Sequence, residues 1–388
     1  MKKDKSTVLL ALTAAAMVLP GIAKKVDASP IDQNMSVDYK ITSYEEDPIP
    51  ANLKLSGSAD RYSILANQLK FKAPILVDSE VSFTAVNETM SGASPWYVKR
   101  RASDGKIMQV MSGATIDESR NEVGAAFRSY NKSTNSETTI STGYSKENDY
   151  RSLSFGFNGA FYVNQNLTTL EYGVNTSKDY IDATDAAIYN RPTNEMKNRL
   201  GMLVGASHIL AKNTLISGTL SYALLDGYLS DPYKLASVAG NLVKDNRPYW
   251  NEQLALTLSL RQFFDEANGA LHVDYRFYTS TWNLDSNTLD LAWYQNLGHG
   301  WQLIPSVRAY KQTKAEFYQP VYDTTRTDGY YSSDYRLSAF SANSAELKVL
   351  KEFKNFTMNI SYEKYDSSGS NPGLVSYEFL SFGTSVKF

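Results

Sequence analysis

The sequence contains no cysteine and only three histidines in 388 residues. Without thiols there can be no disulfide framework, iron–sulfur ligation, covalent c-type haem or acylated lipoprotein cysteine. Gly-x-Ser-x-Gly elbows, phosphate-cradling glycine loops and paired histidines at metal-ligand spacing are missing as well, so the common hydrolytic, nucleotide-binding and zinc-centred chemistries have no anchor. The chain also lacks any apolar run long enough to be a spanning helix. Its longest, from Val8 to Leu19, is about a dozen residues against the roughly twenty a bilayer demands. A net charge of −2 gives no electrostatic footprint for nucleic acid, and no long amphipathic helical pattern occurs.

What is present is aromatic and alternating. Aromatics make up 12% of the chain, with 27 tyrosines, and mean hydropathy is −0.37. Lys2, Lys3 and Lys5 precede the Val8 run and small residues follow at Ala23 and Ala28, the order of a secretory signal peptide over 1–28. Residues 29–388 then form the expected folded domain. Its last stretch, from Tyr377 to Phe388, sets Leu380, Phe382, Val386 and Phe388 against Ser381, Gly383, Ser385 and Lys387. Such a switch at every step suits a strand with lipid on one face and a wet lumen on the other. A chain ending on an aromatic at that period resembles bacterial outer-membrane β-barrels, and the resemblance implies that Phe388 addresses the barrel-assembly machinery.

About sixteen segments carry this period: 36–44, 59–72, 78–91, 116–131, 137–146, 150–162, 166–176, 198–210, 213–227, 251–263, 269–283, 286–297, 301–317, 338–353, 356–367 and 375–388. The expected fold is therefore all-β, a transmembrane antiparallel up-and-down barrel with short periplasmic turns and long extracellular loops. With the amino terminus in the periplasm, short links fall at 73–77, 132–136, 163–165, 211–212, 264–268, 298–300 and 352–355. The long ones, 45–58, 92–115, 177–197, 228–250 and 318–337, fall on the other side. Trp250 and Trp282 come at outer strand ends and Trp301 at an inner end, where amphipathic rings suit the headgroups.

The two faces can be read on single strands. Leu271, Val273, Tyr275 and Phe277 oppose His272, Asp274, Arg276 and Tyr278, and Leu254, Leu256, Leu258 and Leu260 oppose Gln253, Thr257, Ser259 and Arg261. An Arg or Lys on the lipid face near the midplane costs about 2–4 kcal/mol, so the polar set must look inward. Lumen-lining candidates are Arg261, His272, Asp274, Arg276, Asp290, Arg308 and Glu363. Lys99, Arg100, Arg101 and Lys106 are candidates for a basic constriction formed by the loop at 92–115, or for a solvated loop facing lipopolysaccharide. No catalytic residue, metal ligand or cofactor is expected. His299, in Gly-His-Gly, reads as a turn residue. His208 and His272 could meet Asp274 at the periplasmic mouth, and Asp179, Asp182 and Asp185 fall in a predicted outer loop.

Three blocks exceed the generic barrel pattern: Met90-Ser91-Gly92-Ala93-Ser94-Pro95-Trp96-Tyr97, Gly227-Tyr228-Leu229-Ser230-Asp231-Pro232-Tyr233-Lys234, and Ser332-Ser333-Asp334-Tyr335-Arg336-Leu337-Ser338-Ala339-Phe340. Together with 291–297, Trp301 and 306–310 they resemble an uncharacterised Gram-negative outer-membrane family, catalogued as a domain of unknown function. The resemblance covers nearly the whole mature chain. It implies a single barrel and company with periplasmic thioredoxin-like, lipoprotein and flavin-attaching proteins, and names no catalytic residue. Function is accordingly expected to be a pore or transport conduit for an unidentified solute in the bacterial outer membrane. The alternatives are a barrel housing for a periplasmic or lipoprotein partner in redox or metal traffic, and a surface-structural or adhesin barrel. Expected partners are outer-membrane lipid and lipopolysaccharide, not nucleic acid.

Overall fold

The structure, a computed structural model, describes residues 31–112 and 116–388; the expected signal peptide lies outside the described residues. Sixteen strands joined in chain order close into one antiparallel barrel. They are β1 Ser36–Glu46, β2 Ser63–Leu76, β3 Ser79–Gly92, β4 Ile116–Asn131, β5 Ser136–Lys146, β6 Tyr150–Val163, β7 Thr168–Ile181, β8 Glu195–Ala211, β9 Thr214–Gly227, β10 Trp250–Phe264, β11 Gly269–Ser280, β12 Ser286–Gly298, β13 Trp301–Gln312, β14 Phe340–Glu352, β15 Phe356–Gly369 and β16 Tyr377–Lys387. Closure runs from β16 to β1, with Ser36 opposite Lys387 and Glu46 opposite Tyr377. The ring itself has no edge strand, so its ladder satisfies the backbone groups that would otherwise meet hydrocarbon.

The barrel is apolar on its outside. Leu254, Leu256 and Leu258 are 40%, 38% and 47% exposed, and they stand in register with Tyr222, Leu220 and Gly218 of β9 and with Thr279, Phe277 and Tyr275 of β11. An apolar belt of this kind far exceeds what a water-soluble surface carries and is what lipid requires. The first described residues, from Ile31, and the C-terminal Phe388 lie at the end with the short turns. There Gln33 Nε2 donates to the Val77 carbonyl at 2.8 Å, Lys387 pairs with Asp32 at 3.0 Å, and the Phe388 N–H donates to Met35.

Strand boundaries depart from the expected ones where a second influence overrides alternation. The second strand was expected at 59–72 with a turn at 73–77, yet β2 runs to Leu76 and the turn is only 77–78. Pro74 sits beside a register shift against β3, a place where its missing N–H breaks no regular ladder. The thirteenth segment, expected through 317, stops at Gln312, whose side-chain amide donates to the carbonyls of Arg336 and Ser338 at 2.9 and 2.6 Å. Beyond it the alternating residues belong to a different core: Ala315, Phe317 and Tyr318 are buried with Leu284 and Leu337. Asp179, expected in a loop, is in β7 and buried, where it accepts from Ser152 and pairs with Lys197.

Candidate functional site

The outer loops fold into a body of their own. Strand 95–100 pairs with 107–111, which also takes strand 54–56 as a parallel neighbour, while 235–238 pairs with 241–244. Bridges from Val238 to Tyr322 and from Asn246 to Tyr331 tie the loop after β9 to the loop after β13. Ala93, Val98, Met108, Met111, Ala236 and Ala315 are almost wholly buried here. The loops after β3 and β9 leave the ring on far sides, yet the Lys234 ammonium donates to the Pro95 carbonyl at 3.0 Å and strand 235–238 packs on 95–100. A body built from both must span the outer mouth.

Its centre is a neutral knot of three carboxylates and three cations. Arg247 donates Nε to Asp245 at 2.7 Å and a terminal nitrogen to Asp334 at 2.8 Å; Arg336 pairs with Asp334 and, at 3.0 Å, with Asp231. Lys234 is the third cation, its ammonium over the Tyr335 ring. Burial pushes the Asp334 carboxyl up, but Arg336, Lys234 and Arg247 outweigh it and hold the group well below the usual carboxylate range. Asp245 goes the other way: burial raises it, Arg247 offsets only part, and Asp231 adds repulsion. Asp245 has one cation to set against desolvation and Asp334 has three.

Two glycines permit the close approaches at the base of this body. Gly92 has φ +119° and a Cβ there would lie 2.0 Å from the Arg61 carbonyl oxygen; Gly227, at φ +103°, would put one 2.3 Å from that of Met196. Neither position accepts a side chain. Arg61 in turn pairs with Glu46 at 3.0 Å and donates to the carbonyls of Gly373 and Leu374. The Tyr233 hydroxyl donates to Asp149 and accepts from the Thr184 N–H, and Asn371 donates to the Tyr318 hydroxyl at 2.7 Å. Burial pushes the Tyr318 phenol up to about 12. Glu118, Glu147 and Asp149 bring carboxylate oxygens within 4.8 Å of one another, the one acidic grouping of cation-holding spacing among the described residues. Hydrogen bonds from the Asn148 N–H and the Tyr233 hydroxyl already serve it.

Below the loop body the register defines the inner rows. Arg261 holds Asp274 with two bonds of 2.7 and 2.8 Å, and Arg308 pairs with Asp290, which stands opposite Asp274. His272 lies opposite Arg261 and packs its ring 4.0 Å from that of Tyr294. Arg276 is between Thr257 and Thr288, and Glu363 between Glu346 and Phe379. Tyr44, Tyr377 and Tyr365 form a stack beside them, with centroids 4.8 and 4.5 Å apart. The wall across from these residues is smooth, since Gly143, Gly156, Gly173 and Gly201 all share its inner face with Ser141, Asn158 and Asn175.

Other expected residues fall elsewhere. His208 faces outward, in register with Ile216 and bonded to Thr168 at 2.8 Å, so it cannot join His272 and Asp274; in a strand one residue of parity separates lipid from lumen. His299 occupies a tight turn at φ 52°. Lys99, Arg100, Arg101 and Lys106 are at the exposed tip of the 95–111 hairpin, where Arg101 pairs with Asp104, Arg100 with Asp323 at 3.2 Å, and Lys106 donates to the Asn52 carbonyl. Arg101 and a backbone N–H hold the Asp104 carboxyl down to about 2. The knot went unread in the sequence because Asp245 and Arg247 carry no local pattern, although Asp231, Lys234, Asp334 and Arg336 lie inside blocks already singled out.

Comparisons with known proteins agree with this architecture. A bacterial polysaccharide outer-membrane secretin superposes with a TM-score of 0.51 at 9% identity, over 92% of this chain and 99% of that one. The outer-membrane protein OpdK of Pseudomonas aeruginosa gives 0.44 at 9% identity over 92% and 98%, and the ferric enterobactin receptor PfeA of the same organism gives 0.43 at 9% identity over 89% and 54%. At 9% identity the secretin shares the barrel fold. No curated protein matches the sequence. The closed barrel with its lipid-facing belt places the protein in the bacterial outer membrane. A family model described as "Protein of unknown function (DUF3570)" matches residues 9–381, and the chain belongs to that family.

Proposed function

We propose that the protein is an outer-membrane transport conduit whose outer mouth is held shut at rest by the folded loop body. The observation that carries this reading is the pairing of a sixteen-stranded, polar-lined barrel with a loop body locked by a neutral, buried charge knot. Eight strands would be filled by their own side chains, whereas sixteen enclose room for water. The paired charges of Arg261, Asp274, Asp290 and Arg308, with Arg276, His272 and Glu363, line the path and tune what passes. Lys99, Arg100, Arg101 and Lys106 meet an anionic solute before the lumen does. A purely structural loop body would have no use for mixed charge along the inner rows.

One observation favours a second reading. Among the described residues the periplasmic end carries only short turns, so a periplasmic or lipoprotein partner can enter from that side and make the barrel its housing. Planar-bilayer recording on purified protein, with mass spectrometry of co-purifying proteins, separates the two. Rare bursts of open-channel current mark the conduit; a stoichiometric partner with little current marks the housing. Arg276→Ala and Arg308→Ala should change conductance or partner retention while leaving insertion intact. Unchanged current and unchanged co-purification in both variants would count against lumen roles, and a closed barrel without partner would mark a surface-structural role.

A further inference from the structure

We propose that the outward face of β5–β7, at the outer edge of the lipid belt, is a binding site for the phosphorylated headgroup of an outer-leaflet glycolipid. The argument begins with parity. On β5 Ile140 and Tyr144 are exposed, on β6 Leu153 and Phe155, on β7 Val174 and Tyr180, so Lys146, Arg151 and Lys178 share that lipid-facing side. All three are exposed. Lys146 is the direct cross-strand partner of Arg151, which sets their Cβ atoms about 5 Å apart. Lys178 is opposite Leu153, two residues along β6 from Arg151, a diagonal of about 7–8 Å.

Like charges directly opposed weaken a sheet unless an anion offsets them. Asp182 is the carboxylate in contact, 3.7 Å from Arg151; Asp226, beyond Asn198, closes the far edge. Three cations against that single contact leave the patch positive. The Arg151 and Lys178 charged groups both lie over the Tyr180 ring, 5.4 and 5.6 Å from its centroid, so one aromatic face gathers the two cations. Along the same row Asn87 donates to Asn121 at 2.9 Å, and Asn121 stands opposite Lys146. Amides there extend the cations with donors and acceptors suited to sugar hydroxyls. One residue pair toward the periplasm the face becomes Val123, Leu153, Phe155 and Val174, all exposed and apolar.

Cations and amides at headgroup height above an acyl-facing apolar strip match an amphiphile with phosphate on a sugar. The opposite side of the rim, around Lys364 with Asp47, Asp366 and Glu378, is acidic and offers the one competing occupant, a second copy of this chain. Native mass spectrometry of the full chain in detergent, with added lipid A carrying two phosphates or none, tests the site. The expected result is at least tenfold preference for the phosphorylated form, lost in K146Q/R151Q/K178Q and kept in the outlying K311Q. Equal retention of the two lipids by the wild-type chain would overturn the proposal without needing any variant. So would a triple variant that dissociates an oligomer while retaining glycolipid, since the patch would then be a contact between copies.

Discussion

Arg247 is the residue whose removal should open the outer mouth. Arg247→Ala takes two short charged hydrogen bonds from buried carboxylates. Removing one partner of a buried ion pair costs about 3–5 kcal/mol because the charge left behind is uncompensated. The lower end applies here. Asp334 keeps Arg336, and Asp245 keeps the Asp231 N–H at 2.8 Å and already has a raised pKa, so it can neutralise itself. A loss of about 3 kcal/mol raises the open population of the loop body roughly a hundredfold. The assay is single-channel recording in parallel with external proteolysis of the loop after β9 on inserted protein. Both opening frequency and cleavage should rise by about two orders of magnitude. Arg247→Ala combined with Asp245→Asn should recover part of the closure, because it spares the fold the cost of neutralising Asp245. Wild-type cleavage and wild-type current in the single variant, with insertion intact, would refute the idea that the knot closes the mouth.

Two further outcomes follow from the same body. Gly227→Ala forces a Cβ against the Met196 carbonyl at a positive φ and should cost more than the 1–3 kcal/mol of backbone strain alone, seen as faster hydrogen exchange over 228–249. Gly240→Ala, at φ +82° with open space around it, should show only the strain. Acid should loosen the loops late. Asp334 has its folded pKa below the unfolded value of about 3.9, so its contribution is complete above that pH and disappears as pH falls through the folded value. Asp245, raised on folding, contributes in the opposite sense and loses stability as pH rises through its own folded pKa. Loop exchange should therefore stay flat or slow between pH 7 and about 4 and accelerate below, and Asp334→Asn should abolish the acid limb. A protection maximum at neutral pH would contradict the sign.

The barrel was legible because the bilayer forces a binary choice at every residue. Leu254 to Leu260 against Gln253 to Arg261 needs no partner to be interpreted, and parity groups Arg261, Asp274, Asp290 and Arg308 on one face, expected to line the lumen. Alternation misled where a loop has its own hydrophobic core, as at Ala315 and Phe317, and β2 runs past its expected end at 72 through a register shift beside Pro74. His208 was misplaced through a single step of parity. The knot was illegible for a different reason. Asp231, Asp245 and Asp334 are spread over a hundred residues, and only the packing of the loop after β9 on the loop after β13 brings them together. The glycines at 92 and 227 were visible as letters in the family-like blocks, but the backbone approaches that demand them belong to the tertiary fold.

The absence of native cysteine allows the central claim, a cylinder greasy outside and wet inside, to be measured at two adjacent residues. Leu256→Cys and Thr257→Cys point to opposite faces of β10. In proteoliposomes a charged, membrane-impermeant maleimide should label Thr257→Cys and spare Leu256→Cys, while a fluorophore at 256 and not at 257 should be quenched by brominated acyl chains. Equal labelling at both positions, or quenching at 257, would contradict the account.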